Sequence, residues 1–247
     1  YEEDKRHINT QSDTEVLINI FASALENNLD GELNNECISK AVNEVHSRVV
    51  GAYSVIAIIL GYGMVAFRDP NGIRPLVVGS KNDSTHMVAS ESVSLECLGY
   101  RLERDVDPGE TIIIDSEGKI DSWKYDGEIN RTPCIFEFVY LARPDSTIEE
   151  INVYESRLSM GRYLAEKIKL TLSTQELDEI DVVIPIPDTS KTSTVPLSIS
   201  LNKELKEGFV KNRYIGRTFI MPGQQKRKQS VRQKLNAMSA EFKNKNV

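Results

Sequence analysis

The chain has 247 residues, 40% of them hydrophobic and 27% charged, and a formal net charge of −7. That size and mix suit one large globular domain or two modest ones and exclude a disordered or fibrous protein. The acidic balance gives no support to nucleic acid as a general partner, and no apolar run approaches the ~18 residues of a membrane span.

The first residues are a polar run without the apolar stretch of a signal peptide, so a cytoplasmic protein is expected. The three cysteines, Cys37, Cys97 and Cys134, are odd in number and scattered. That argues against a disulfide framework or a complete zinc site and leaves them as small buried hydrophobes. Ser12 and Glu15 form an S-x-x-E capping box, followed by Val16, Leu17, Ile20, Phe21, Ala24 and Leu25 at helical spacing. A helix is therefore predicted from about Asp13 to just before Asn27. A second follows Asn34, with Ile38, Ala41, Val42, Val45 and Val49 as its stripe and Gly51 as its stop.

The period then changes. Residues 52–60, rich in Val and Ile, fit a buried strand, turned by Gly61-Tyr62-Gly63 into a return strand at 64–67. Asp69-Pro70-Asn71-Gly72 is a turn in which Pro fixes φ and Asn-Gly tolerates positive φ. Further short strands are predicted at 76–79, 87–90, 111–114 and 119–123, with a short helix at 91–98. Helices segregated from short antiparallel strands read as α+β layers.

From Cys134 the pattern differs. Residues 155–170 place Leu158, Gly161, Leu164, Ala165 and Ile168 on one helical face. Residues 182–187 then read as a short strand, and a strand between helices is the mark of a parallel sheet with crossovers. Asp188-Thr189-Ser190 follows at the carboxyl end of that strand, where open α/β sheets bind ligands. Pro196 is expected near the first turn of the next helix.

Residues 211–234 hold eight basic residues, among them Lys211, Arg213, Arg217 and Lys234, and no acidic one. We read them as a long loop, containing Tyr214, Phe219, Ile220 and Met221, that enters a short basic helix. A solvated charged face is one reading of such a run. A nucleic-acid surface with stacking aromatics is another. The loop's place beside Asp-Thr-Ser favours a third, a small phosphorylated ligand, because arginine pairs bidentately with phosphate oxygens.

Longer strings narrow the choice. Residues 211–225, Lys-Asn-Arg-Tyr-Ile-Gly-Arg-Thr-Phe-Ile-Met-Pro-Gly-Gln-Gln, closely resemble the flexible loop of the amidophosphoribosyltransferases. Phe67-Arg68-Asp69-Pro70-Asn71-Gly72-Ile73-Arg74-Pro75, Ala89-Ser90-Glu91-Ser92, Ala142-Arg143-Pro144-Asp145-Ser146 and Pro185-Ile186-Pro187-Asp188-Thr189-Ser190 agree in the same order, as does Ser230-Val231-Arg232 with Lys234-Leu235-Asn236. The resemblance covers essentially the whole chain. It implies α+β N-terminal-nucleophile (Ntn) hydrolase layers, in part, over 1–133. An α/β type I phosphoribosyltransferase domain, also in part, follows over 134–247. The activity implied for the intact protein is glutamine-dependent conversion of phosphoribosyl pyrophosphate to 5-phosphoribosylamine, glutamate and pyrophosphate, the committed step of purine synthesis.

The resemblance also assigns residues. Asp13, matching the end of the family's His-Ile-Asn-Thr-x-Ser-Asp string, would hold the glutamine α-amino group; the helix dipole favours a carboxylate in a first turn. Thr189 matches a position that contributes to Mg²⁺ binding. Asp188 and Ser190 flank it on a turn whose amides and hydroxyls can face pyrophosphate. Lys211, Arg217, Gln225 and Lys234 match the loop that closes over the phosphoribosyl pyrophosphate, and Lys211 also falls where the family binds purine-nucleotide feedback inhibitors. Arg143 and Ser146 read as structural or inter-domain. Cys134 matches an iron–sulfur ligand of some members, but the loop wording resembles the cluster-free branch, so no cluster is expected. The resemblance implies a homo-oligomer when full length.

Two parts of the family pattern are expected outside these residues. The nucleophilic cysteine would precede Tyr1, and the double-aspartate phosphate cradle would follow Val247. The 247 residues alone are therefore expected to be inert, or at most to bind a phosphate-bearing ligand. One departure stands within the chain: Lys191-Thr192-Ser193-Thr194-Val195-Pro196 replaces the small apolar residues usual there.

Overall fold

A computed structural model describes residues 7–82, 85–218 and 222–247. The chain divides into two compact units, Tyr1–Glu137 with Asp145–Ile151, and Phe138–Pro144 with Asn152–Val247.

The first unit opens with helices α1 (Asp13–Asn27) and α2 (Asn35–Arg48). Ser12 stands at the N-cap of α1 but makes no capping hydrogen bond. Glu15 turns back instead, accepting from the Thr10 amide at 2.7 Å, the Thr10 hydroxyl at 2.5 Å and the Asn9 amide at 2.8 Å. Thr10 offers the carboxylate two donors where Ser12 offered one, and the expected capping box gives way to this clasp. Asn34 does cap α2, accepting from the Cys37 amide at 2.9 Å.

Strands β1 (Ser54–Ile59), β2 (Gly63–Arg68), β3 (Val77–Asn82) and β4 (Thr85–Ala89) come next, then helix α3 (Ser92–Cys97) and strands β5 (Arg101–Asp105), β6 (Glu110–Asp115) and β7 (Ile120–Lys124). They form two antiparallel sheets, ordered β1-β2-β6-β7 and β4-β3-β5. Alternation along the strands fixes the layers. Val65, Phe67 and Ile113 pack on Phe21, Ala24, Ile38, Val42 and Val45 of the helix pair. Their neighbours Ala66, Ile112 and Ile114 face the other way, onto Val78 and Val88 of the second sheet. Val77 and Ala89 then cover Leu95 of α3. The order is helix pair, sheet, sheet, short helix. Cys37 is buried in this stack, but Cys97 is exposed at the end of α3 and Cys134 half-buried, so the expectation of three core cysteines is corrected.

The Phe67–Pro75 string is a lock rather than a plain turn. Arg68 is fully buried, and its guanidinium donates to the carbonyls of Arg74, Gly72 and Val106 at 2.7 to 2.8 Å and to Glu149 at 3.1 Å. Asp69, also buried, accepts from the amides of Asn71 at 2.9 Å and Ile73 at 3.1 Å. A buried charge is tolerated only when its hydrogen bonds are filled, and here they are. Gly72 has φ +60°, and a Cβ there would lie 2.7 Å from the Pro108 ring.

A π-helical turn spans Glu137–Leu141, and β8 (Thr147–Ile148) pairs with β9 (Ile151–Asn152). The second unit is built on α4 (Val153–Thr171), α5 (Thr174–Glu179), β10 (Val182–Val183), α6 (Lys191–Leu201) and β11 (Glu204–Leu205), with β10 and β11 parallel. The strand expected over 182–187 shrinks to two residues because Pro185 and Pro187 have no N–H for a ladder. β12 (Phe209–Lys211), α7 (Gln224–Lys234) and β13 (Leu235–Ala237) follow, and β12 pairs antiparallel with β13. Pro196 lies inside α6, buried, five residues beyond the first helical residue, not near the helix start. Helices α4 and α6 meet at Gly161, where a Cβ would fall 2.0 Å from the Ser193 carbonyl oxygen and 2.8 Å from the Pro196 ring. Among the described residues no helix is long and apolar enough to cross a membrane.

Candidate functional site

Each unit carries a cavity. The cavity of the second unit has a volume of about 680 Å³. Thr189 and Ser190 line it from the turn after β10, Ser193 and Thr194 from the first turn of α6, and Arg217, Thr218 and Lys234 from the basic segment. Leu141, Met160, Leu164, Leu197 and Val231 make an apolar wall. The strand-end turn is held from within. The Ser190 hydroxyl donates to the Ile186 carbonyl at 2.5 Å, and the Ser190 carbonyl accepts from the Thr194 hydroxyl at 2.7 Å and its amide at 3.0 Å. The peptide bond between Pro187 and Asp188 is cis.

The basic segment is pinned at both ends by its lysines. Lys211 Nζ lies 2.5 Å from Asp188 Oδ2. That hydrogen bond lowers the Asp188 pKa against the opposing effect of burial, and the charges of Lys211, Arg213 and Lys191 add to the lowering. Lys234 Nζ donates to the Gly216 carbonyl at 2.9 Å, and its own carbonyl accepts from the Asn212 amide at 2.8 Å. Four of the residues singled out from the sequence, Thr189, Ser190, Arg217 and Lys234, thus share one cavity. Asp188 and Lys211 form a pair that is not part of its lining, and Gln225 is exposed at the start of α7. Tyr214 is almost wholly exposed, while Phe219, Ile220 and Met221 lie outside the described residues. The hydroxyls of Ser193 and Thr194 were missed. Their signal was the polar Lys191–Thr194 string itself, which puts alcohols where apolar residues were expected.

One cavity of the first unit, the one that Asp13 lines, has a volume of about 840 Å³. Asp13 and Thr14 line it from the first turn of α1, Tyr53 and Ser54 from the start of β1, and Arg74 and Ser90 from the loops after β2 and β4. Arg74 was not singled out, yet it is the cation of this wall. Its backbone carbonyl is held by Arg68, and its guanidinium lies 2.7 Å from the carboxylate of Glu137. Burial raises the Glu137 pKa, the charge of Arg74 opposes that, and Glu91 adds to the rise. Behind the cavity wall, Tyr53 Oη lies 2.9 Å from Nδ1 of buried His46, which is ringed by Tyr53, Phe67 and Tyr125. Burial lowers the His46 pKa to about 4, so the imidazole is neutral.

Among the described residues no group of three or more His, Cys, Asp or Glu side chains could hold a metal ion. At the second cavity the oxygen donors among the described residues include the hydroxyls of Thr189, Ser190, Ser193, Thr194 and Thr218, with the carboxylate of Asp188, paired with Lys211, beside them. Such a set does not cage a bare cation. It does fit Mg²⁺ brought in on a substrate's phosphates, which keeps much of its water and takes few protein ligands.

No protein-family model matches the chain. Individual relatives do. The amidophosphoribosyltransferase of Pseudomonas aeruginosa is 54% identical over 250 residues, covering 100% of this chain and 49% of that protein. The amidophosphoribosyltransferase of Escherichia coli is 52% identical over 251 residues, with the same two coverages. Among solved structures, the glutamine phosphoribosylpyrophosphate amidotransferase of Bacillus subtilis, complexed with ADP and GMP, superposes with a TM-score of 0.74 at 34% identity over 97% of this chain and 48% of that one. The chain spans about half the length of the curated relatives it matches. In sequence and in fold the chain is thus similar, over essentially its whole length, to about half of an amidophosphoribosyltransferase.

Proposed function

We propose that the intact protein converts glutamine, water and phosphoribosyl pyrophosphate to 5-phosphoribosylamine, glutamate and pyrophosphate. In this reading residues 1–133 belong to a glutamine-hydrolysing Ntn domain and 134–247 to a type I phosphoribosyltransferase domain. The observation that carries it is the convergence of Thr189, Ser190, Arg217 and Lys234 on one cavity. Hydroxyls and two cations around one space suit a polyphosphorylated sugar. The departing pyrophosphate gains negative charge as its bond to the sugar breaks, and cations fixed there stabilise that charge. The hydroxyl-bearing turn orients the phosphates, and the apolar wall keeps water from the activated sugar. Mg²⁺, bound through the phosphates beside Thr189, would neutralise further charge on the leaving group. On the other side, Asp13 pairs with the glutamine α-ammonium.

The related Bacillus subtilis enzyme is described with ADP and GMP bound, which supports purine nucleotides as feedback ligands here. A cytoplasmic homo-oligomer without an iron–sulfur cluster completes the proposal.

The test is kinetic, on the full-length protein. Pyrophosphate release from phosphoribosyl pyrophosphate is measured with glutamine or ammonium as nitrogen donor. Arg217→Met and Lys234→Met should each raise the KM for phosphoribosyl pyrophosphate about tenfold or more, the loss of one charge-assisted contact. Unchanged KM in both variants, or no pyrophosphate release by the parent protein, would overturn the reading.

A further inference from the structure

We infer that Asp188 is an internal counter-anion that occupies Lys211 until a diphosphate-type polyanion displaces it. The inference rests on the functional reading above and assigns Asp188 a role other than direct ligand contact. Lys211 ends β12 and opens the basic segment; Asp188 opens the turn that carries Thr189 and Ser190 into the cavity. Their 2.5 Å contact closes one anchor of the segment on an anion, whereas the other anchor, Lys234, rests on the neutral carbonyl of Gly216 at 2.9 Å.

The two anchors therefore differ in how readily they release. A lysine on a carbonyl oxygen exchanges that acceptor for a phosphate oxygen at little cost, because any anion is the better partner. A lysine on a carboxylate must leave one negative charge for another, so a monoanion gains nothing. A polyanion carrying two or more charges gains. The pair also sits among like-signed neighbours. Lys191 lies 2.5 Å from Glu207, so a second lysine at the same turn is likewise held by a carboxylate. The side chains of Asp188 and Lys211 are 54% and 27% exposed, so the pair is accessible to an entering ligand and its strength is that of a screened ion pair.

The experiment is a mutant cycle on the full-length protein, read by calorimetric titration with inorganic pyrophosphate and, separately, inorganic phosphate, without divalent cations. Asp188→Asn should tighten pyrophosphate binding about two- to fivefold, as expected for release of an exposed ion pair, and narrow the preference for pyrophosphate over phosphate. Lys211→Met should weaken pyrophosphate binding, and the double variant should bind like Lys211→Met alone. A gain that persists in the Lys211→Met background means simple charge repulsion and overturns the counter-anion role. Pyrophosphate binding by the parent protein with no gain in Asp188→Asn overturns it as well, and leaves the functional reading intact. No pyrophosphate binding by either protein overturns the counter-anion role, while the functional reading, in which Mg²⁺ accompanies the phosphates, stands or falls by its own kinetic test.

Discussion

The guanidinium of Arg74 lies 2.7 Å from the carboxylate of Glu137, joining an exposed cation in the wall of the Asp13 cavity to an acid that is 6% exposed. The pair is asymmetric. Glu137 depends on Arg74 far more than the reverse, because a buried carboxylate without a partner bears its full desolvation cost. Arg74→Met should destabilise the protein by about 1–3 kcal/mol. Glu137→Gln, which removes the charge and keeps the shape, should cost less. Urea unfolding of the two variants measures the difference; equal losses would mean that the pair contributes through packing alone.

His46 gives the fold a pH dependence with a definite sign. Its folded pKa is lowered to about 4 from the ordinary 6.5, so below 6.5 the unfolded chain takes up a proton that the folded chain refuses. Stability from this site is complete above pH 6.5, declines as the pH falls towards 4, and is lost below that, by about 3 kcal/mol in all. Burial also raises the pKa values of Asp105 and Glu137, so the histidine is isolated by the difference between the parent and a His46 variant. His46→Gln should remove that decline in the unfolding free energy between pH 6.5 and 4. A variant that keeps the parent's slope there would remove the argument.

How much of this was legible in the sequence depends on how much side-chain pattern each element carries. α1 and α2 follow directly from apolar period, because each buries one face against the same core. The Val- and Ile-rich run of β1 reads as a buried strand, but β1 lies at the end of its sheet and leaves Ile56 and Ile58 exposed on one face. β5 has no such signature: Arg101-Leu102-Glu103-Arg104-Asp105 is polar and owes its shape to the β3 ladder. α5 buries nothing and rests on its Ser173–Glu176 capping box. β12 and β13 are three residues each, too short for any period, yet they bring Lys211 next to the turn it pins. The candidate site was read from strings rather than pattern. Those strings contain Thr189, Ser190, Arg217 and Lys234; Arg74 also lies in one of them, but its place in a cavity wall beside Glu137 comes from a contact distant in the chain.

Asp13 should matter to one nitrogen donor only. It lines the first cavity from the first turn of α1, where it can meet an ammonium. Asp13→Asn keeps the size and loses the charge. Glutamine-dependent kcat/KM in the full-length protein should fall about tenfold to hundredfold while ammonium-dependent activity is unchanged. Equal losses with both donors would place Asp13 in the fold rather than in the site.

The contact between α4 and α6 depends on the missing side chain of Gly161. A methyl group there would sit 2.0 Å from the Ser193 carbonyl oxygen, a backbone atom that cannot turn aside. Gly161→Ala should therefore separate the helices and cost about 1–3 kcal/mol, the usual penalty of overpacking. Ser193 and Thr194 line the second cavity, so the KM for phosphoribosyl pyrophosphate should rise in the same variant. A stable variant with an unchanged KM would show that the helices can part without cost.

A polypeptide of these 247 residues alone should bind and not turn over. Glutamine hydrolysis by a covalent route needs an activated nucleophile at the amide carbon. Among the described residues, the cavity that contains Asp13 is lined by no cysteine and no histidine. Cys37 is buried in the first turn of α2, and Cys97 is at the exposed end of α3. The hydroxyls of Thr14, Ser54 and Ser90 do line the cavity, but no imidazole stands beside them there to take their protons, and an unassisted alcohol is a weak nucleophile at neutral pH. Glutamate release by this polypeptide should equal the rate in buffer. A burst of glutamate stoichiometric with protein would mean that one of these alcohols, or a thiol brought in by rearrangement, is activated, and the assignment of this cavity as a binding site alone would then fall.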